Sequence, residues 1–152
     1  MTASARHSVS VAAIIVNDAG QVLMTQRRDN GHWEPPGGVL ELSESILDGL
    51  RREVREETGL EIEPERLTGV YKNMPRAIVA LVFRARVLDN SPSETTEEAA
   101  RIEWLSREQV ATRCDEAYAV RVHDALVASD TPAIRSHNGV DLLRDFASLP
   151  SW

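Results

Sequence analysis

Hydrophobic positions come in short, unevenly spaced runs. Val9 to Val16, "VSVAAIIV", is apolar almost throughout and rich in β-branched residues. That pattern predicts a strand buried on both faces. "NDAG" follows, with Asp18 and Gly20 suited to a tight connection, and Gln21–Arg27 then alternates as the second strand of a hairpin. "RDNGHWEPPGG" is dense in Gly, Pro, Asn and Asp and reads as a loop, with Val39–Leu42 as a short strand after it.

Residues 45–58 carry a helical period, with Ser43 or Glu44 near the N-terminus and Gly59 placed as a left-handed stop. Glu61–Tyr71 and Ala77–Val87 read as strands, and "AIVALVF" is the most strand-like run in the chain. Residues 88–98, "LDNSPSETTEE", form a polar loop. Arg101–Leu105 is a short strand holding Trp104. "SREQV" opens a helix with a serine cap and Glu108 in its first turn, and Ala117–Ala128 is an amphipathic helix. "HNGV" near the end is a turn. Strands, a helix, strands, then helices predict an α/β domain over residues 9–128, with a flexible N-terminus at 1–8 and a tail at 129–152 of unassigned role.

Composition narrows the function classes. The 152 residues suit one domain with a sizeable core. A net charge of −7, from 17 basic and 24 acidic residues, argues against a bulk electrostatic grip on nucleic acid. The single cysteine, Cys114, excludes an internal disulfide and reads as a packed residue. No apolar run approaches a membrane span, and Val9–Val16 lacks the flanks of a signal peptide. A cytoplasmic protein is the expectation, without a membrane partner, as monomer or homodimer.

One stretch runs against simple helix electrostatics. "REVREETGL", Arg52 to Leu60, packs Glu53, Glu56 and Glu57 into five positions, and like charges at helical neighbour spacing repel. On a wheel with Ile46 at zero, Leu50, Val54 and Leu47 make an apolar stripe out to about 100°. Glu57, Glu53 and Glu56 flank its other edge at roughly 20°, 340° and 280°. Arg51, Arg55 and Asp48 lie on the far side, and Arg52 faces away from the cluster. The pairs Asp48–Arg52 and Arg52–Glu56 fit a solvated, salt-bridged helix. Carboxylates converging beside the core fit a hard divalent cation, since Mg²⁺ and Mn²⁺ favour oxygen ligands.

The longer context is more specific. Residues 38–60 read "GVLELSESILDGLRREVREETGL": Gly38, then Glu44, then Arg52-Glu53-Val54-Arg55-Glu56-Glu57-Thr58-Gly59-Leu60. This resembles the signature box of the Nudix hydrolases at every specified position. A chance match is on the order of one in a billion per starting point. "WEPPGG" before the box and "IEWLSREQV" after it are similar to the family's flanks. Ser43, Gly49 and Leu50 depart from its commonest residues, and Gly49 costs about 1 kcal/mol of helix propensity against alanine.

The resemblance implies an α/β/α sandwich, a mixed β-sheet with the box helix packed against it. It implies metal-dependent hydrolysis, by water attack on phosphorus, of a pyrophosphate bond in a nucleoside diphosphate linked to another group. Mg²⁺ is the implied cofactor, with Mn²⁺ an alternative. Glu53 and Glu57 would be the main ligands, with Glu56 and the Gly37 carbonyl beside them. Gly38 would let the backbone approach metal and phosphate. Arg52 would orient the box by pairing with Glu44 or a neighbouring carboxylate. Glu41 and Glu44 are candidates for metal or substrate contacts. Arg27 and Arg28 could reach phosphates, and Tyr71, Lys72 and Arg76 flank a turn at Pro75 that could touch substrate. The general base is open between Glu53 and the loop carboxylate Glu98, with Glu94 and Glu97 nearby. Trp33 and Trp104 read as packing residues. His7, His32, His123 and His137 show no ligand spacing and receive no role.

Family substrates range over nucleoside triphosphates, oxidised nucleotides, ADP-ribose, dinucleoside polyphosphates, coenzyme A and capped RNA. Pro75, 15 residues past Leu60, is reminiscent of ADP-ribose-cleaving members, whereas the compact domain favours small nucleotides. The alternative from another class is a non-catalytic nucleotide sensor on the same fold. Retention of Glu53, Glu56 and Glu57 weighs against it.

Overall fold

The computed structural model describes residues 5–89, 92–93 and 95–144. Strands β1 (Ser8–Ile15), β2 (Val22–Arg27), β3 (Trp33–Glu34) and β4 (Gly37–Val39) precede helix α1 (Ile46–Thr58). Strands β5 (Glu61–Asn73), β6 (Ile78–Asp89) and β7 (Ala99–Leu105) lead to helices α2 (Arg107–Arg113) and α3 (Glu116–Leu126). Strands β8 (Ala133–His137) and β9 (Leu142–Leu143) close the described chain. A six-stranded mixed sheet has the order β4-β1-β6-β5-β8-β9, and a three-stranded sheet the order β3-β2-β7.

The continuous apolar run of β1 follows from its place in the main sheet. Val11, Ala13 and Ile15 face a core shared with Leu50 and Val54 of α1. Ala12 and Ile14 face a second core that includes Val110, Val122 and Ala125 of α2 and α3. A strand covered on both faces has no polar side to alternate with. This is the α/β/α sandwich with α1 packed against a mixed sheet.

Several local expectations change. The turn after β1 forms, with the Asn17 side chain accepting from the amides of Ala19 and Gln21 at 3.0 and 2.9 Å. The expected hairpin does not: β1 and β2 share a single isolated bridge, Val16 to Val22. Both edges of β1 are already taken, antiparallel by β4 and parallel by β6, so β2 pairs with β3 and β7 instead. The segment read as loop contributes β3 and β4, because tertiary pairing orders two- and three-residue strands that no periodicity can announce. A Cβ on Gly37 would collide with the Val11 carbonyl and Ala12, so only glycine lets β4 lie this close to β1.

Helix α1 is capped by Ser45, whose hydroxyl accepts from the Asp48 amide at 3.2 Å, and not by Ser43 or Glu44. Gly59 closes it at φ 79°, its amide donating to the Arg55 carbonyl. Leu50 and Val54 are fully buried, but Ile46 and Leu47 remain 43% and 40% exposed, so the buried stripe is narrower than the wheel implies. Gly49 is buried, and a Cβ there would overlap Leu40 and the Glu44 carboxylate. Close packing therefore accounts for a glycine that helix propensity disfavours. Residues 129–144, left unassigned by the sequence, carry β8, which runs parallel to β5 from Gly69–Ala133 to Asn73–His137. The turn at residues 137–140 connects β8 to β9.

Candidate active site

The wheel placed Arg52 away from the glutamates; the folded chain places it among them. Its Nε and Nη2 donate to the Glu44 carboxylate at 2.8 and 2.6 Å. Its Nη1 donates to Glu53 at 2.9 Å and Glu56 at 3.1 Å. Nη2 also reaches the Val39 carbonyl at 3.3 Å. An arginine fork bridges the approach loop and the helix in a way a point charge cannot. The wheel failed here because a guanidinium reaches far enough to curl around the helix surface. The Asp48–Arg52 pair does not form; Asp48 meets Arg51 at 3.7 Å.

This arrangement also settles Glu44. Its carboxylate is held by Arg52 and accepts from the Glu41 amide at 2.9 Å, and the arginine hydrogen bonds lower its pKa to about 2. It orders the turn into α1 and stands apart from both cavities described below. Glu41 is exposed, 4.0 Å from Arg52, and lines neither cavity.

Glu57 and Glu53 bind the helix to the diglycine. The Gly37 amide donates to Glu57 Oε2 at 2.7 Å. A Cβ on Gly38 would sit inside the Glu53 carboxylate, so glycine alone leaves that space. Glu57 is 8% exposed. Burial raises its pKa to about 8 against the lowering effect of the Gly37 amide, and Glu53 and Glu98 add repulsion. Burial also raises the pKa of Glu53, opposed by Arg52.

Glu53, Glu56, Glu57, Glu97 and Glu98 together line a cleft of about 240 Å³. The Glu98 carbonyl accepts from the Arg28 amide at 3.1 Å and the Arg28 Nε donates to the Thr96 carbonyl at 3.1 Å. Arg28 thus pins the acidic loop and does not line the larger cavity described next, where it was expected to meet phosphate. Glu94 lies outside the described residues.

Gly37 and Gly38, which Glu57 and Glu53 of the cleft contact, line a larger cavity of about 500 Å³. Arg27, Arg76, Tyr118, Arg121 and His137 contribute to its wall. Arg27 is held by Asp29 at 2.9 and 2.8 Å. Tyr71, expected near substrate, is fully buried, and its hydroxyl donates to Asp124 at 2.7 Å. Lys72 does not line the cavity. Trp33 packs beneath the guanidinium groups of Arg101 and Arg113, 5.5 and 5.3 Å from its ring. Sequence reasoning missed Tyr118, Arg121 and His137. Tyr118 and Arg121 lie in the predicted helix 117–128, where no motif marks them, and His137 was given no role.

The cleft suits a hard divalent cation by its chemistry. Five glutamates line it, Glu57, buried among them, takes its hydrogen bond from the neutral Gly37 amide, and the missing Cβ of Gly38 makes room for the Glu53 carboxylate. Among the described residues no three His, Cys, Asp or Glu side chains already stand at metal-ligating spacing. Arg52 Nη1 engages both Glu53 and Glu56 in this arrangement.

Comparison with known proteins places this geometry. The NUDIX domain family profile matches residues 6–126. A MutT-like protein from Streptomyces ambofaciens is 48% identical over 137 residues, covering 90% of this chain and 88% of its own length. The 8-oxo-dGDP phosphatase NUDT18 of Danio rerio is 36% identical over 126 residues. That match covers 79% of this chain but only 36% of the fish protein. A solved NUDIX hydrolase from Nitrosomonas europaea superposes with TM-score 0.74 at 20% identity, over 89% of this chain and 82% of that one, and shares the fold. With the profile spanning most of the chain and a relative at 48% identity nearly end to end, the chain belongs to the Nudix hydrolase family.

Proposed function

We propose that this chain hydrolyses a pyrophosphate bond in a nucleoside diphosphate linked to another group, a nucleotide or conjugate such as a nucleoside triphosphate or ADP-ribose, with Mg²⁺ or Mn²⁺. The observation that carries the reading is the all-glutamate cleft meeting, at Gly37 and Gly38, a cavity large enough for a nucleotide. The Streptomyces relative supports the family, and the fish relative, an 8-oxo-dGDP phosphatase, supports a nucleoside diphosphate as substrate.

Glu53, Glu56, Glu57 and the Gly37 carbonyl would hold the cation. Bound there, it would neutralise phosphate oxygens and lower the pKa of water. The chain's own residues do the rest. Arg52 fixes the approach loop and holds Glu53 and Glu56 until they are needed elsewhere. Gly38 lets the Glu53 carboxylate lie directly against the backbone of β4. Glu98, facing the cleft from a separate loop, is placed to take a proton from the attacking water. Glu53 is the alternative candidate for that base, with its pKa raised by burial. Arg27 and Arg76, on the cavity wall, are placed to meet the phosphates' charge.

The test is a panel of nucleoside triphosphates, nucleoside diphosphates, ADP-ribose and other diphosphate conjugates, assayed with Mg²⁺ and Mn²⁺ and with product identification. Metal-dependent release of a nucleoside monophosphate or pyrophosphate is expected. Tight nucleotide binding without turnover anywhere in the panel would overturn the proposal in favour of a sensor.

A further inference from the structure

Strand β5 ends at Asn73, which is 8% exposed and lies on the same sheet face as Tyr71. Its Oδ1 accepts from the Arg76 amide at 3.3 Å. An amide nitrogen cannot accept, so this bond fixes the orientation of the side chain and leaves Nδ2 as a donor. Nδ2 has no hydrogen-bond partner among the described residues, and it opens to the larger cavity that Asn73 lines. Asn138, in the turn after β8, is fixed in the same sense. Its Oδ1 accepts from the Val140 and Asp141 amides at 2.9 and 2.8 Å, and it too lines the cavity. The two turns are clamped together, the Met74 amide donating to the His137 carbonyl at 2.9 Å. A Cβ on Gly139 would stand 3.8 Å from Asn73 Nδ2, so the asparagines share one end of the cavity.

That end is also cationic. Arg76, in the turn after β5, lines it, and among the described residues its guanidinium makes no ion pair. Arg121 lies beneath, 7% exposed, between the rings of Tyr71 and Tyr118 at 4.9 and 4.7 Å. The buried carboxylate nearby, Asp124, is committed to Arg135 at 2.8 and 2.7 Å, so the charge of Arg121 stays uncompensated. The Tyr118 hydroxyl has no partner among the described residues. Burial and Glu34 raise its pKa, whereas Arg121, Arg76 and Arg27 lower it, so those charges face the phenol. The carboxylates of the cavity wall, Asp29 and Glu34, stand with Arg27 at 2.8 and 3.9 Å.

Strand register sets this end apart from the diglycine. Gly38 aligns with Val11, Leu81 and Val70 across β4, β1, β6 and β5. Asn73 lies three strand spacings away and three residues further along β5, about 17 Å from Gly38 by strand geometry. One phosphate group cannot touch both. We propose that Asn73, Asn138, Arg76 and Tyr118 form a second phosphate subsite, which takes a phosphate monoester carried by the substrate outside its scissile pyrophosphate. Two amide donors, a guanidinium and a phenol exceed what the two oxygens of a carboxylate can use. A phosphate offers three acceptor oxygens and nearly two charges. Arg121 adds positive potential from below without touching the ligand. The inference rests on the nucleotide reading above and names a further group on that substrate.

The test is calorimetric binding of adenosine 2′,5′-bisphosphate, adenosine 3′,5′-bisphosphate and AMP to the wild-type protein. None has a pyrophosphate bond, so affinity is read without turnover. The better bisphosphate should bind roughly 10-fold to 150-fold more tightly than AMP, the worth of an added charge-assisted hydrogen bond. Asn73→Asp keeps an acceptor for the Arg76 amide and sets a carboxylate where Nδ2 stood. In that variant the ratio of bisphosphate to AMP affinity should collapse towards one. Both bisphosphates within twofold of AMP in the wild type overturn the proposal, as does an Asn73→Asp variant of native circular dichroism that keeps the wild-type ratio. Inorganic phosphate, titrated alone, separates the two sources of the anion. If it binds the wild type but not Asn73→Asp, and the bisphosphates show no preference, the site holds a free anion and the substrate assignment falls. A bisphosphate preference with no turnover anywhere in the substrate panel would sink the hydrolase reading and keep the subsite. Turnover without the preference would do the reverse.

Discussion

Glu57 is where function and stability pull in opposite directions, and the conflict is measurable. Its carboxyl is buried and accepts a hydrogen bond from the Gly37 amide. Its folded pKa is raised from 4.5 to about 8. A group raised in this way takes up a proton on folding. Below pH 4.5 both states are protonated and nothing is lost; as pH climbs from 4.5 to 8 the unfolded chain ionises first and stability falls. At pH 7 the penalty has a ceiling of about 3 kcal/mol, from the linkage of proton uptake to folding. Glu57→Gln keeps an oxygen for the Gly37 amide and removes the ionisation. In metal-free buffer at pH 7 the variant should melt higher than wild type, by about 6–12 °C at the ceiling for a chain of this size. The pH dependence is the sharper signature. The difference in stability between variant and wild type should grow from pH 4.5 to 8 and vanish below 4.5, read by chemical denaturation at a series of pH values. Mg²⁺ should stabilise the wild type and leave the variant nearly unmoved. The same substitution should abolish metal-dependent turnover. An unchanged or lower melting temperature across that pH range would refute the electrostatic account of Glu57. Near-normal kcat at saturating Mg²⁺ would refute its assignment as a ligand.

Arg52→Lys should lower kcat by tenfold or more, because an ammonium cannot bridge Glu44, Glu53 and Glu56 together; steady-state kinetics at saturating Mg²⁺ would show it, and unchanged kcat would deny the fork its role. Gly38→Ala should leave the far-ultraviolet circular dichroism native while cutting kcat/KM by at least an order of magnitude, since the added Cβ displaces the Glu53 carboxylate. Tyr71→Phe should cost about 1.5–3 kcal/mol in urea denaturation, from loss of a buried hydrogen bond to a charged acceptor, with kcat unchanged; a drop in kcat would return Tyr71 to the substrate side. His137 should make stability fall as pH drops from 6.5 towards 4, because its folded pKa is lowered and the unfolded chain protonates first; His137→Asn should flatten that limb of the profile.

The box helix was legible from the sequence because its signals are local. Three glutamates within five positions, Gly59 as a stop and Gly38 at fixed spacing each act within a few turns of chain. The apolar run of β1 likewise announces a strand buried on two faces, and the structure supplies both cores. What the sequence left undetermined depends on partners distant in the chain. Whether β2 pairs with β1 is decided by β4 and β6 occupying both edges. Arg52 turns inward because Glu44, eight residues earlier, folds back beneath it. Glu97 and Glu98, far along the chain from α1, line one cleft with Glu53, Glu56 and Glu57. Arg121 and His137, 16 residues apart with no motif between them, meet because β8 adds parallel to β5 beside α3. Periodicity and short-range spacing fix which face an element presents; which charged groups share a low-dielectric cavity is set by tertiary packing, and that sharing produces the chemistry.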